Sequence, residues 1–257
     1  MWTSTNSPPF PSPTATWHND TYPSISPSRP ELSAAGKTVV ITGAGSGIGR
    51  ETAIAYATAG AASIVLLGRH VSKKVFSVDV TEKDALQRVA SAIGSWDVLI
   101  LAAGHVSDPS PIASASTDSW WQDFETNVKA TFLGIMVFLP TKNESNATVL
   151  ALTSGAVALP SSLQTGLSAY ASSKLAQIKL IDFLASDGAN ANALPIDQVQ
   201  LPAHFLVWMS SSEATFLKGR SVWANWDVDE LKAQAKEIKS GVQMTAGING
   251  WPYHADS

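Results

Sequence analysis

The chain has 257 residues, 45% of them hydrophobic and 15% charged, and a formal net charge of −4. That is enough apolar material for one sizeable α/β core. The absence of cysteine excludes disulfide scaffolds, thiol nucleophiles and thiolate metal sites. Lys and Arg are scattered, which argues against a nucleic-acid surface or a polybasic membrane patch. No apolar run approaches the roughly 18 residues needed to span a bilayer, and no basic-then-apolar leader opens the chain. A cytoplasmic protein is the expectation.

Met1 to about Ala35 is rich in Pro, Ser and Thr and reads as a mostly disordered arm. Residues 36–257 read as one domain. Lys37–Thr42 is a short apolar strand running into glycines, and Arg50–Ala59 an alanine-rich helix stopped by Gly60. Ser63–Leu67 is a second strand, Val75–Val78 a third ending at Asp79, and Thr81–Ile93 a helix with Thr81 as N-cap. Asp97–Leu101 is a strand followed by Ala102-Ala103-Gly104. A long helix is expected over Asp118 to about Leu139, and a strand over Ala147–Leu152 that leads to Thr153-Ser154. Ser168–Leu184 is a further helix. Short apolar strands alternating with helices imply an α/β fold with a mostly parallel, doubly wound sheet.

Two motifs carry chemistry. Thr42-Gly43-Ala44-Gly45-Ser46-Gly47-Ile48-Gly49 lies between a strand and a helix. Glycines there allow a tight turn and let backbone N–H groups approach a pyrophosphate at the positive helix end. Downstream, Tyr170-Ala171-Ser172-Ser173-Lys174 puts a phenol and an ammonium on one helix face. A nearby cation favours the phenolate, as proton transfer by tyrosine requires. Each motif alone is weak. Together they point to hydride transfer.

The spacing of Gly43, Gly47 and Gly49 resembles the short-chain dehydrogenase/reductase family, most closely its fungal members. The likeness covers most of Gly36 to Leu184 and returns near the carboxyl end. It implies a Rossmann-like fold in which Ser46, Ile48 and the three glycines bind a nicotinamide cofactor. Ala102-Ala103-Gly104 matches the family's Asn-Ala-Gly turn, with alanine for asparagine. Asn127 matches the asparagine that supports a proton-relay water, and Ser154 the serine that bonds the substrate oxygen. Tyr170 matches the general acid/base, and Lys174 the lysine that binds the ribose and polarises the tyrosine. Asp79-Val80 resembles the adenine-contacting pair. Arg69 stands where members that prefer NAD carry an acid; it suits a 2′-phosphate, so NADP is favoured with NAD left open. The substrate is expected to be a small or medium hydrophobic carbonyl or the matching alcohol, and a homo-oligomer is left open. His105 reads as a loop histidine. Trp120, Trp121, Trp208, Trp223 and Trp226 read as packing in the core or at a subunit interface. No residues show metal-ligand spacing.

Two departures stand against the family pattern. Only His70 to Lys74 separate Arg69 from the third strand, whereas a parallel crossover ordinarily needs about ten to twelve residues. The family helix there is missing, and the third strand is expected to lose its usual place. After the tyrosine helix, Ala185–Gln200 is polar and lacks the expected strand ending in Pro-Gly. Leu201–Ser210 resembles a late family helix, and Lys218–Trp223 the last core strand. One helix and one strand of the core therefore look absent, as after splicing or a faulty gene model. An active oxidoreductase, a cofactor-binding protein without turnover, and a chain that does not fold stably all remain open at this point.

Overall fold

The computed structural model describes residues 20–69, 76–145, 147–157, 164–186, 209, 211–218, 220, 222, 226–241 and 243–244. Five strands form one all-parallel sheet: β1 (Thr38–Thr42), β2 (Ser63–Gly68), β3 (Phe76–Ser77), β4 (Val98–Leu101) and β5 (Thr148–Ala151), in the order β3-β2-β1-β4-β5. The central strands read Thr-Val-Val-Ile-Thr and Val-Leu-Ile-Leu, continuous apolar runs rather than alternating ones. Such runs suit a parallel sheet covered on both faces.

Because side chains alternate across a strand, the two faces have separate cores. Val40, Leu99 and Leu101 point to one face. There they meet Leu86 and Val89 of α2 (Lys83–Ile93) and Leu133 and Phe138 of α4 (Ala130–Phe138). Leu180, Ile181 and Leu184 of α5 (Ser168–Ser186) pack against that cluster. Val39, Ile41, Val98 and Ile100 point to the other face, against Ala53 and Tyr56 of α1 (Gly47–Thr58). Trp96, fully buried just before β4, donates its indole N–H to the Phe138 carbonyl at 2.8 Å and so ties β4 to α4.

Several boundaries differ from expectation, each for a physical reason. The third strand does pair with β2, in parallel, but over two residues only: Leu67 with Phe76 and Gly68 with Ser77. Both pairs lie at the carboxyl end of β2, so the chain need not travel back along the sheet, and a short connection suffices. Thr81 does not cap α2. Its N–H and hydroxyl both go to Asp79 Oδ1, at 2.9 and 2.7 Å, and Glu82 holds the N-cap position. The long helix expected over Asp118–Leu139 is α3 (Thr117–Phe124) and α4 joined by a π-helical turn, Glu125–Lys129. Asn127 sits at the centre of that turn.

The strand expected after the tyrosine helix, and most of Leu201–Ser210, lie outside the described residues, as do Trp208 and Trp223. Of Lys218–Trp223, the described Lys218, Arg220 and Val222 are in no strand. Asp20–Ala35, at the end of the proline-rich segment, forms two 3-10 turns, and the Ala34 N–H bonds the Ala59 carbonyl at 2.8 Å. By packing, Met1–Asp187 with Pro252–Ser257 form one compact unit and Gly188–Trp251 another. In the second, Leu217, Leu231 of α6 (Val228–Ala233) and Ile238 of α7 (Ala235–Ser240) form a small apolar core.

Candidate active site

The glycine loop connects the end of β1 to the start of α1, and close packing dictates its composition. Gly43 has φ +68°, and a Cβ there would lie 2.7 Å from Ala103 Cα; one on Gly49 would lie 2.4 Å from the Gly43 carbonyl oxygen. Only glycine lets the loop fold this tightly on itself and on the end of β4. Thr42 fixes the contact: its hydroxyl accepts from the N–H groups of Ala102 and Ala103 at 3.1 and 3.2 Å. The first turn of α1, whose N–H groups lack helical partners, opens onto a cleft of about 550 Å³.

Gly43, Ser46, Gly47, Ile48 and Gly49 line one side of that cleft, Arg69, Asp79 and Val80 another, and Ala102, Ala103 and Gly104 its floor. Gln122, Glu125, Thr126 and Leu152, which carry no recognisable motif, line it too. At Gly47 (φ +51°) the direction a side chain would take is open space. A helix N-terminus facing a glycine cradle suits a pyrophosphate. Asp79 is held below the usual carboxylate range, first by the Thr81 backbone and hydroxyl bonds and then by the charge of Arg69.

Two of the other expected residues, Asn127 and Lys174, lie next to Gly104, which lines the cleft. Asn127 is fully buried; its Nδ2 donates to the His105 carbonyl and to Ser173 Oγ, both at 2.9 Å, and its Oδ1 accepts from the His105 N–H at 2.9 Å. It therefore clamps the loop after β4 to α5. Lys174 is 4% exposed and donates from Nζ to the Leu152 carbonyl at 2.8 Å and to Gln177 Oε1 at 3.0 Å. A Cβ on Gly104 would lie 3.4 Å from Asn127 Oδ1 and 3.6 Å from Lys174 Nζ, so all three are neighbours. Burial pushes the Lys174 ammonium below the usual lysine range, and the charge of Asp123 opposes that. Asp123, 0% exposed, accepts from Ser107 Oγ at 3.0 Å and pairs with His105 Nδ1 at 2.6 Å.

Tyr170 is half-buried one turn before Lys174 on α5, and Ser154 half-buried just past β5. The Ser154 carbonyl accepts from the Val157 N–H, and the turn Gly155–Val157 packs on α5. His105 lies on the loop after β4, as expected, with its ring paired to Asp123. Trp120 stacks on Phe124 and donates to Ser168 Oγ, while Trp121 is 55% exposed. Asp123 and Gln177 escaped the sequence reading, although each shares a helix face with a motif residue, Asp123 four before Asn127 and Gln177 three after Lys174.

A nucleotide-type cleft at the carboxyl ends of a parallel sheet, with a Tyr-Lys helix beside it, defines a Rossmann-like α/β protein. The chain belongs to the short chain dehydrogenase family, whose model matches residues 37–201; its members are oxidoreductases that use a nicotinamide cofactor. A short chain dehydrogenase of Monascus purpureus is 33% identical over 91% of this chain and 97% of its own. A short chain dehydrogenase/reductase of Claviceps purpurea is 31% identical over 93% and 95%. Among solved structures, a short chain dehydrogenase of Shigella flexneri complexed with NADP superposes with TM-score 0.54 at 26% identity, over 60% of this chain and 72% of that one. A gluconate 5-dehydrogenase-like protein of Beutenbergia cavernae with bound NADP gives 0.53 at 28% identity, over 60% and 68%. The Monascus alignment runs over 287 positions against 257 residues here, so at least 30 positions of that relative have no counterpart in this chain.

Proposed function

We propose that the protein is an NADP-dependent oxidoreductase interconverting a carbonyl and an alcohol on a small or medium hydrophobic substrate. The observation that supports this reading is that Asn127 and Lys174 are neighbours of Gly104, a residue lining the glycine-rich cleft. The nicotinamide, when bound, supplies or accepts the hydride. The chain's own part is to bind and to move a proton. The loop Gly43–Gly49 receives the pyrophosphate on backbone N–H groups, and Arg69 meets the 2′-phosphate with a bidentate-capable guanidinium. Asp79 and Val80 flank the adenine, and Lys174 takes the nicotinamide ribose. Ser154 and Tyr170 hydrogen-bond the substrate oxygen, and the Tyr170 hydroxyl delivers or removes its proton.

A second reading is a cofactor-binding protein without turnover. It is supported by the missing 30 or more positions and by the half-exposed Leu150 on β5. Both readings need the cleft, so cofactor titration comes first. Wild-type protein should bind NADPH, with fluorescence enhancement as the readout. Gly47→Trp, which fills the open space of the cradle, should lower the affinity at least about a hundredfold, the scale of a blocked phosphate site. Equal affinity in that variant sinks the dinucleotide reading. Oxidation of NADPH across a panel of aldehydes and ketones then separates enzyme from binder.

A further inference from the structure

Gln177 is an amide in a place where the helix pattern calls for an aliphatic side chain. It shares a face of α5 with Tyr170, Ser173 and Lys174 before it and with Leu180, Ile181 and Leu184 after it, and those last three join the main core. Only 1% of it is exposed. A buried amide is costly unless its bonds are made, and here both ends are used. Oε1 accepts from Lys174 Nζ at 3.0 Å, and Nε2 donates to Thr131 Oγ1 at 2.8 Å. Thr131 in turn donates its hydroxyl to the Asn127 carbonyl at 2.8 Å, so the amide is anchored on α4 and the π-helical turn. The amide cannot rotate freely: turning it over would bring an NH₂ against an ammonium and an oxygen against a hydroxyl whose hydrogen is already committed.

An ammonium has three N–H donors and no acceptor. Leu152 takes one and Gln177 a second, which leaves a third; Gly104, whose Cβ position lies 3.6 Å from Nζ, and Leu152 both line the cleft. We propose that Gln177 is a positioning residue for Lys174, its Thr131-anchored carboxamide holding the charged ammonium with a single N–H directed to the cofactor. The inference rests on the cofactor reading above but names a residue and a role which that reading does not contain. The titratable groups that face Lys174 are Tyr170 on its own helix and Asp123 of α3 with its partner His105 on the loop after β4; Leu152 contributes a neutral carbonyl.

Two variants of one shape separate positioning from simple packing. Affinity for NADPH is measured from neutral to alkaline pH in the wild type, Gln177→Leu and Gln177→Glu, with a thermal melt of each. In the wild type, affinity falls as Lys174 loses its proton, at a pH below the ordinary lysine range because burial disfavours the ammonium. Gln177→Leu removes an acceptor from the charged form, so the fall moves about one pH unit lower, the tenfold scale of one charged hydrogen bond. Gln177→Glu places an anion at the same distance and moves it about one unit higher. Shifts in opposite directions carry the proposal, since lost packing would weaken both variants alike. If Gln177→Leu does not fold, an upward shift in Gln177→Glu still carries it. Wild-type pH dependence in either folded variant, or downward shifts in both, overturns it. A wild-type protein that binds no NADPH at any pH overturns the cofactor reading instead, and this role with it.

Discussion

Ile100 and Leu150 are partners across one rung of the sheet, yet Ile100 is 3% exposed and Leu150 48%. The contrast extends to whole strands: every residue of β4 is buried, whereas β5 alternates between exposed and half-buried. Both strands are apolar, so the difference lies in what covers them. β4 has β1 on one side and β5 on the other, with α4 above and the smaller core below. Among the described residues nothing pairs with the far side of β5. Among the described residues, β4 is covered on both faces and both edges, while β5 is covered less.

That asymmetry can be broken at several points. The largest effect is expected at Tyr170, on the helix beside β5. Tyr170→Phe should lower turnover by about 10²- to 10⁴-fold, the range for loss of a general acid, with NADPH affinity retained in a fluorescence titration. Retained turnover would show that the proton comes from another group. Next comes the rung itself. Ile100→Ala should cost about 2–5 kcal/mol as a buried cavity, while Leu150→Ala should cost below about 1 kcal/mol, both read from urea denaturation. Equal costs would mean that β5 is as well covered as β4. The smallest effect belongs to the rim of the cleft: Arg69→Ala should weaken NADPH about tenfold, one charged hydrogen-bonding partner, and leave NADH unchanged. A matched loss for both nucleotides would remove Arg69 from the choice between them.

Much of this was legible from local spacing. Gly43 and Gly49 announce their loop because a Cβ on either would collide with backbone, and Gly47 because its φ is +51°, demands written into one short stretch. Tyr170 and Lys174 announce themselves by one helical turn. What stayed hidden depends on partners distant in sequence. Asp123 looks like an ordinary helix acid until His105 and Ser107 reach it, and Gln177 like an amide out of place on an apolar face until Thr131 does. The π-helical turn was invisible because Glu125–Lys129 has unremarkable helical composition; the extra residue is accommodated where Asn127 turns inward to the His105 backbone. The Thr81 cap failed on a local competition, since Asp79, two residues earlier, captures the same hydroxyl. The β3 pairing escapes a crossover-length rule because that rule holds for a full strand, and here only two residues pair at one end of β2.

The hydroxyl of Thr42 has a mechanical side. It grips two successive amides at the end of β4, and the next residues of that chain, Gly104 and His105, are the ones clamped by Asn127, which also holds Ser173 on the tyrosine helix. Phosphate loop, cleft floor and α5 are thereby rivetted in series. A tug on the glycine loop has only short, directional links through which to pass, and it arrives next to Lys174. Whatever seats itself in the loop is thereby linked to the helix that carries Tyr170 and Lys174.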